Sequence, residues 1–443
     1  MLVCCSVFSS AQYKNVKIDE GKGFNSPEEP TIAMNPKNVL QMVAGSNVRN
    51  VYHSADGGLT WAKDSMRSKE HGVYGDPCVV ADTNGNFYFF HLGDPDHKGW
   101  SGPNFLDRMV CQRSVNGGKT WSEGSAIGIN HPHQQDKEWV AVDGKTNALY
   151  ITWTEFDKYE SKSPIDSSRI LFSSSLDQGQ TWSAPMRLSQ YAGNCADSDS
   201  TVEGAVPAVG VNGEIYTAWA FDQKIYFDRS VDGGKTWLNK DILVCDQPGG
   251  WDFEVSGIYR CNGMPVTVCD NSKGPNRGAV YINFSDQRSG KNNTDIWIVK
   301  STDGGASWSK PTRVNTDTTN HHQFMSWMAI DQSTGYLYVV FYDRRAYKDD
   351  STDVYLAVSR DGGITFSNEK INENAFKPNK YVFLGDYINI AAHNGVIRPV
   401  WVTIEGFNTM IWTAIISDPA QQQEIPVREK PIRKKRRFSF KLG

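Results

Sequence analysis

An all-β chain built from a repeated unit is the fold class the sequence predicts, and three observations predict it. An eight-residue phrase recurs six times: SADGGLTW from Ser54, SVNGGKTW from Ser114, SLDQGQTW from Ser175, SVDGGKTW from Ser230, STDGGASW from Ser301 and SRDGGITF from Ser359. The copies stand roughly 60 residues apart, a period too long for helical or leucine-rich arrays. Between them, short β-rich runs bounded by Gly, Asn and Asp return in one order, the pattern of strands joined by tight turns. The composition agrees, with 39% hydrophobic, 22% charged and 12% aromatic residues and 39 glycines in 443 residues; this is a turn-rich folded chain, with the apolar content to build a core.

The phrase has a physical logic. Its Asp or Asn caps a tight turn, its Gly supplies positive φ, and its terminal aromatic anchors the corner. Written as Ser-x-Asp-x-Gly-x-Thr-Trp, it resembles the Asp-box, or BNR repeat, of sialidase-like β-propellers, across residues 54–366. The resemblance implies one β-propeller in which each box lies on the hairpin between the third and fourth strands of a blade. It also implies that the boxes are structural and lie on the face opposite the active site. It does not fix activity, which belongs to sites rather than folds.

Taken in order, the chain opens with MLVCCSVFSSAQ (residues 1–12), an apolar run with small residues that reads as a truncated secretory leader. Export, to the periplasm, cell surface or medium, is the expectation. No later apolar run approaches the roughly 20 residues of a membrane-crossing helix. Seven inner hairpins follow, at 29–46, 76–91, 138–153, 206–219, 264–284, 326–343 and 387–401. Seven blades are therefore favoured, with six as the alternative. The seventh hairpin is followed by MIWTAIIS (410–417) and no box, so its blade lacks a strand. YKNVKID (13–19) is the expected donor, closing the ring and removing an exposed edge. The propeller is thus assigned to 13–417.

Residues 418–443 form a basic tail, read as disordered, with eight Lys or Arg against one Glu from residue 428 onward. The net charge of −4 hides this asymmetry, and the propeller itself is acidic. Nucleic acid is not an expected partner; a glycan or polysaccharide is, with the protein acting as a monomer. Six cysteines remain beyond the leader, an even number compatible with disulfides or with unpaired buried thiols. None has C-x-x-C spacing, so zinc is not expected.

Blade topology sorts the loops by face. Boxes and inner hairpin turns share one face, and the longer loops crowd the other, where binding sites usually lie. On that rim, Trp100 and Trp251 are candidate sugar-stacking platforms, His133 and His322 candidate titrating groups, and Arg288, Arg344 and Arg345 candidate grips for carboxylates. Carboxylates gather where the inner strands begin: Glu28, Glu29, Asp76, Asp136, Glu138, Glu203 and Asp386. They suit acid–base cleavage of a glycosidic bond, calcium binding, or capping of strand ends. The candidate catalytic set is Glu203, Glu138, Asp76, Asp386 and Tyr387, with Glu29 contacting substrate.

Sialidases of the resembled family grip substrate with three arginines, the first in an aromatic-Arg-Ile-Pro phrase. Here PEEPTIA (27–33) stands at that place, and its glutamates would repel a sialic acid. Glu203 and Tyr387 are the candidates for the family's glutamate and tyrosine. The function expected is therefore glycan binding and cleavage without true sialidase activity; a non-catalytic glycan- or protein-binding module and a calcium-stabilised scaffold are the alternatives.

Overall fold

The computed structural model describes residues 13–21 and 26–418. The leader-like start, and the basic tail beyond Asp418, lie outside the described residues.

Seven four-stranded antiparallel sheets account for the described chain. Their inner strands are Thr31–Met34, Cys78–Ala81, Gln134–Val142, Glu203–Val209, Val266–Cys269, Gln323–Asp331 and Asn389–His393. Each inner strand packs on those of the blades before and after it, and the seventh packs on the first, so the ring is closed. The architecture is a seven-bladed β-propeller. A single 3-10 turn, Gly99–Ser101, is the helical element among the described residues.

The first six blades run from inner to outer strand in chain order, whereas the seventh borrows its outer strand. There Lys14–Glu20 pairs antiparallel with Asn408–Ser417, in register from Lys14 opposite Ile415 to Glu20 opposite Met410. The borrowed strand is also tied sideways. Asp19 accepts from the Tyr52 hydroxyl at 2.6 Å and pairs with Lys63 at 2.6 Å in the first blade. Asn15 donates to the Ile371 carbonyl beside the sixth blade at 2.8 Å. These bonds satisfy backbone and side-chain groups that an open edge would leave to solvent.

The repeated phrase makes the corner between third and fourth strands. In the fourth blade, the Ser230 hydroxyl donates to Asp232 at 2.8 Å and accepts from the Gly234 amide at 2.9 Å. Asp232 also accepts from the amide and hydroxyl of Thr236, at 2.9 and 2.6 Å. Gly234 sits at φ +86°, and a Cβ there would lie 2.4 Å from the ring of Phe172 in the preceding blade. Trp237 meets the same ring edge-on at 5.0 Å. One corner therefore closes its own turn and docks its blade on the neighbour. Trp308 repeats this on Phe227 at 5.1 Å.

The core lies between the blades, around wholly buried Trp153, Trp219, Trp401, Tyr281 and Phe90. Aromatic rings at these positions bury large areas and fill the wedge between twisted sheets. The six described cysteines are all free. No helix among the described residues is long and apolar enough to cross a membrane.

Candidate functional site

The channel is plugged. Trp139 and Trp327, on inner strands of the third and sixth blades, meet with ring centroids 4.2 Å apart, and Tyr387 of the seventh packs on Trp139 at 4.8 Å. Blades three and six are not neighbours, so this contact spans the axis. The mouth of the channel, where the inner strands begin, lies on the face opposite the repeated corners.

Local backbone geometry aims side chains into that mouth. The inner strands of the third, fourth and sixth blades each lose register at their entrance, between Asp136 and Trp139, Glu203 and Val206, and Phe324 and Trp327. Such bulges turn a side chain off the sheet. At the same level Glu29, Asp76 and Lys137 adopt φ of +53°, +50° and +52°. Positive φ is costly for residues with a Cβ and persists where surrounding contacts hold it.

The contacts in question are electrostatic. Lys137 Nζ lies 2.7 Å from Asp76, 2.7 Å from Asp386, 3.5 Å from Glu29 and 4.0 Å from Asp136. Burial alone would strip the proton from this ammonium, but the four surrounding carboxylates overcome it and hold the pKa well above the usual lysine value. Arg260 enters from the loop between the fourth and fifth blades. Its Nε donates to Asp386 at 2.8 Å, and it also pairs with Asp197. Burial opposes the charge on Asp386, yet Lys137 and Arg260 outweigh it and hold this carboxylate well below its usual range.

The other carboxyls go the opposite way. Burial, with Asp76 and Asp386 nearby, pushes Glu28 up to about 7. Burial is also the main cause at Asp136, which is raised to about 8 with Asp76 and Asp197 adding repulsion against Lys137. Glu203 is wholly buried and held well above the carboxylate range by burial and by Asp197 and Asp136. Its carboxyl, like that of Glu138, is walled off from solvent, with the Asp197 carboxyl as its neighbour. Neutral, protonated carboxyls are the forms such sites tolerate.

The sequence-predicted residues therefore divide. Asp76, Asp386 and Glu29 converge on Lys137, and Glu203 stands behind them against Asp197. Glu138 is buried beside the Cys78 thiol. Tyr387 belongs to the plug, its hydroxyl donating to the Pro77 carbonyl at 3.2 Å. Of the first group, Asp76 reaches the mouth, its side chain 14% exposed. Glu28, half-buried, joins it there.

Among the candidate binding groups, Trp100 is exposed and stacks on Tyr159 at 5.9 Å. Tyr159 in turn donates to Asp197 at 3.1 Å, linking this ring to the cluster. Trp251 is buried, and its indole donates to Asp197 at 3.0 Å; it orients an acid rather than offering a face to a sugar. His133 faces Asp157 at 3.1 Å on the rim. His322 is bound to the Thr294 hydroxyl at 3.0 Å and is lowered to about 4 by burial and Arg344. Arg288 and Arg345 repeat one arrangement: each folds back on the Asp two residues before it, Asp286 or Asp343, and lies over an aromatic ring, Trp297 or Tyr355. Arg344 is buried against Thr352 and Asp350. These three arginines are already engaged, Arg288 also reaching the Asp246 carbonyl of the fourth blade at 2.9 Å.

Among the described residues, no group of three or more His, Cys, Asp or Glu side chains is arranged to hold a metal ion. A cavity of about 420 Å³ lies away from the mouth, between the loop leaving the sixth blade and the outer part of the seventh, lined in part by Trp401, Trp412 and Lys377. Two of its three asparagines, Asn15 and Asn372, are bonded to neighbouring backbone and side chains. The titratable chemistry is concentrated at the mouth instead.

No protein-family model matches the chain, and no curated protein matches it by sequence. By fold it is similar to an ulvan lyase, a polysaccharide lyase bound to GlcA(1-4)Rha3S, with a TM-score of 0.52 and 12% identity over 90% of this chain and 96% of that one. It is also similar to Hadza microbial sialidase Hz136, with a TM-score of 0.47 and 13% identity over 86% of this chain and 75% of that one. For Trypanosoma rangeli sialidase in complex with sialic acid the TM-score is 0.46 and the identity 15%, over 80% of this chain and 55% of that one. What the ulvan lyase match shows is the fold: this chain is a β-propeller, and sialidases stand among its structural neighbours at low identity.

Proposed function

We propose that the protein binds a glycan in the mouth of the channel and cleaves it by carboxyl acid–base chemistry. The observation that carries this reading is a proton-holding carboxyl, Glu28, close to an ion-paired one, Asp76, at the mouth. Glu28, with its pKa near 7, is suited to hold a proton at neutral pH and give it to a leaving oxygen. Asp76, paired with Lys137 at 2.7 Å, presents a negative charge. A carboxyl that holds its proton, set beside an ion-paired one, is the kind of arrangement that acid-assisted cleavage of a glycosidic bond requires. Asp386, Glu29 and Asp136 fix Lys137, and Glu203 backs Asp197, so these act on the pair from behind. The exposed Trp100 ring, stacked on Tyr159, offers a sugar platform at the rim.

A fold shared with a glycan-bound polysaccharide lyase supports the reading in kind. Binding without turnover is the second reading, and it draws on one observation: among the described residues, the cations at the mouth, Lys137 and Arg260, are each engaged by carboxyls. Both are tested by a panel of neutral, amino, uronic and sulfated oligosaccharides offered to wild type, Glu28→Gln, Asp76→Asn and Glu203→Gln. Acid–base chemistry predicts that the first two variants lose about 10²–10⁴ in kcat, with binding retained. Binding without product on any oligosaccharide selects the second reading.

A further inference from the structure

Resting on that reading of the mouth as a glycan site, we propose that the cavity between the sixth and seventh blades is a distal subsite holding further sugar units of the same glycan chain. The protein then takes oligosaccharides of several units rather than a mono- or disaccharide. Unequal strand lengths build the cleft. In the seventh blade the second and third strands, Val396–Glu405 and Asn408–Ser417, run for ten residues each, whereas the outer strand of the sixth blade, Ser367–Lys370, has four. The turn joining the two long strands, at Gly406 and Phe407, belongs to the mouth face, so the longer sheet overhangs its neighbour there. Trp401, Thr403 and Glu405 alternate along one strand, and Trp412 and Met410 stand directly opposite Trp401 and Thr403 on the next, so all of them share one face of the sheet. Chain leaving the sixth blade, from Asn372 to Lys377, makes the facing wall and leaves about 420 Å³ between. Ligand sites occupy about 300–1,000 Å³.

The walls suit a sugar. Trp412 is half-buried, its indole N–H donates to the Thr403 hydroxyl at 2.9 Å, and the Lys17 ammonium lies 5.2 Å from its ring centre. A ring held in advance costs little ordering on binding, and its apolar surface matches the C–H face of a pyranose. Thr403, having accepted from Trp412, keeps its own proton to donate. Asn374 and Glu405 stand exposed at the edge, an amide and a carboxylate of the kind that pair with sugar hydroxyls. One loop joins this cleft to the mouth. From Lys377 it passes the exposed ring of Tyr381 to Phe383, over which Arg260 lies at 5.1 Å, and then reaches Asp386. Asn379 ties the loop to the Gly406 carbonyl at 3.1 Å, next to the exposed Phe407. Among the described residues the exposed aromatic rings, Trp100, Tyr191, Tyr259, Tyr381 and Phe407, all stand in loops of this face, whereas exposed apolar residues at the corners, such as Val115, Leu176 and Val231, are aliphatic. Rings exposed on one face only mark the surface along which a chain of sugars lies.

Calorimetric titration of the full chain with dimers and hexamers of glucose, N-acetylglucosamine and galacturonate tests the proposal. In the series that binds, the hexamer should bind about tenfold or more tighter than the dimer. Ala375→Trp, which fills the cleft from an exposed position on its wall, and Trp412→Ala should each bring the hexamer to the affinity of the dimer and leave dimer binding as in wild type. Thermal melts of Ala375→Trp should match wild type, so that its effect is read on a folded protein. A hexamer advantage that survives Ala375→Trp would overturn the proposal, as would equal binding of dimer and hexamer by wild type. In either case a dimer bound by wild type and lost in Asp76→Asn leaves the glycan reading of the mouth standing. Failure of every dimer and hexamer, and of the wider oligosaccharide panel, would remove that reading and the distal subsite with it.

Discussion

The two faces of the propeller use the same residue type to opposite ends. On one face, Asp232 and Asp303 are exposed and Asp361 half-buried, and each accepts from hydroxyls and amides of its own corner; their pKa values fall to about 2, chiefly through the side-chain bond to Thr236 or Ser307, and at Asp361 because burial, its largest single influence, is outweighed by the bonds from Thr365, Ser359 and the corner amides together. On the other, Glu28, Glu29, Asp136, Glu138 and Glu203 are desolvated, crowded by other acids and raised. A carboxylate with every lone pair satisfied is a piece of scaffold. One left buried beside its own kind stays reactive, because its proton has no stable alternative home. The repeated corners therefore spread saturated acids around the ring, and the inner-strand entrances gather crowded ones at a point.

Breaking the contrast at its centre should have the largest effect. Lys137→Met leaves Asp76, Asp386 and Glu29 without their shared cation, and loss of about 3–5 kcal/mol of stability is expected in denaturant titrations near neutral pH. Adding Asp386→Asn to it should recover part of that loss, the signature of a coupled pair. On the scaffold face, Gly234→Ala should cost about 1–3 kcal/mol, since its Cβ would lie 2.4 Å from the Phe172 ring at a φ of +86°. Wild-type stability after Gly234→Ala would show that the corner does not lock adjacent blades.

The pH dependence separates the faces further. Glu28 and Asp136, raised to about 7 and about 8, keep protons in the folded state that the unfolded chain releases near pH 4. Stability from the mouth should thus be greatest below about pH 4 and fall as pH rises to about 8. Asp386, depressed, and Lys137, raised, keep constant charge through that window. The corner acids run the other way, contributing above about pH 4 and losing that contribution as pH falls to about 2. Asp136→Asn should flatten the neutral slope in thermal melts at a series of pH values. The smallest effect belongs to Asp361→Ala, at most about 1 kcal/mol, because solvent screens that carboxylate; a larger loss would mean that a corner acid carries more of the fold than its environment allows.

Much of the frame was legible in the chain. Hairpins at Thr31–Ser46 and at Asn389–Glu405 read as strands because period-two alternation and turn residues are local signals, and the missing outer strand of the last blade followed from counting. The entrance acids were legible for the same reason, since strand starts mark the channel. Lys137 as their hub was not, because an interrupted register and a positive φ have no periodic signature. Asp197 and Tyr159 reach the site from long loops, whose course is decided by what they land on. Trp251 shows the limit from the other side: an aromatic in a rim loop suggests a sugar platform, and only its bond to Asp197 shows that it faces inward.

The clasp between Lys14–Glu20 and Asn408–Ser417 has a consequence in time as well as space. Lys14–Glu20 precedes every other strand of the propeller yet has no partner until the last blade exists, so the ring closes late, with the contacts of longest sequence separation among the described residues forming last. Because Lys14 sits opposite Ile415, the two points where chain enters and leaves the ring are adjacent on the corner face. A short linker could join them, and the chain could be reopened at any exposed corner between blades. In such a permutant the waiting segment becomes an ordinary fourth strand, and closure passes to whichever blade is cut.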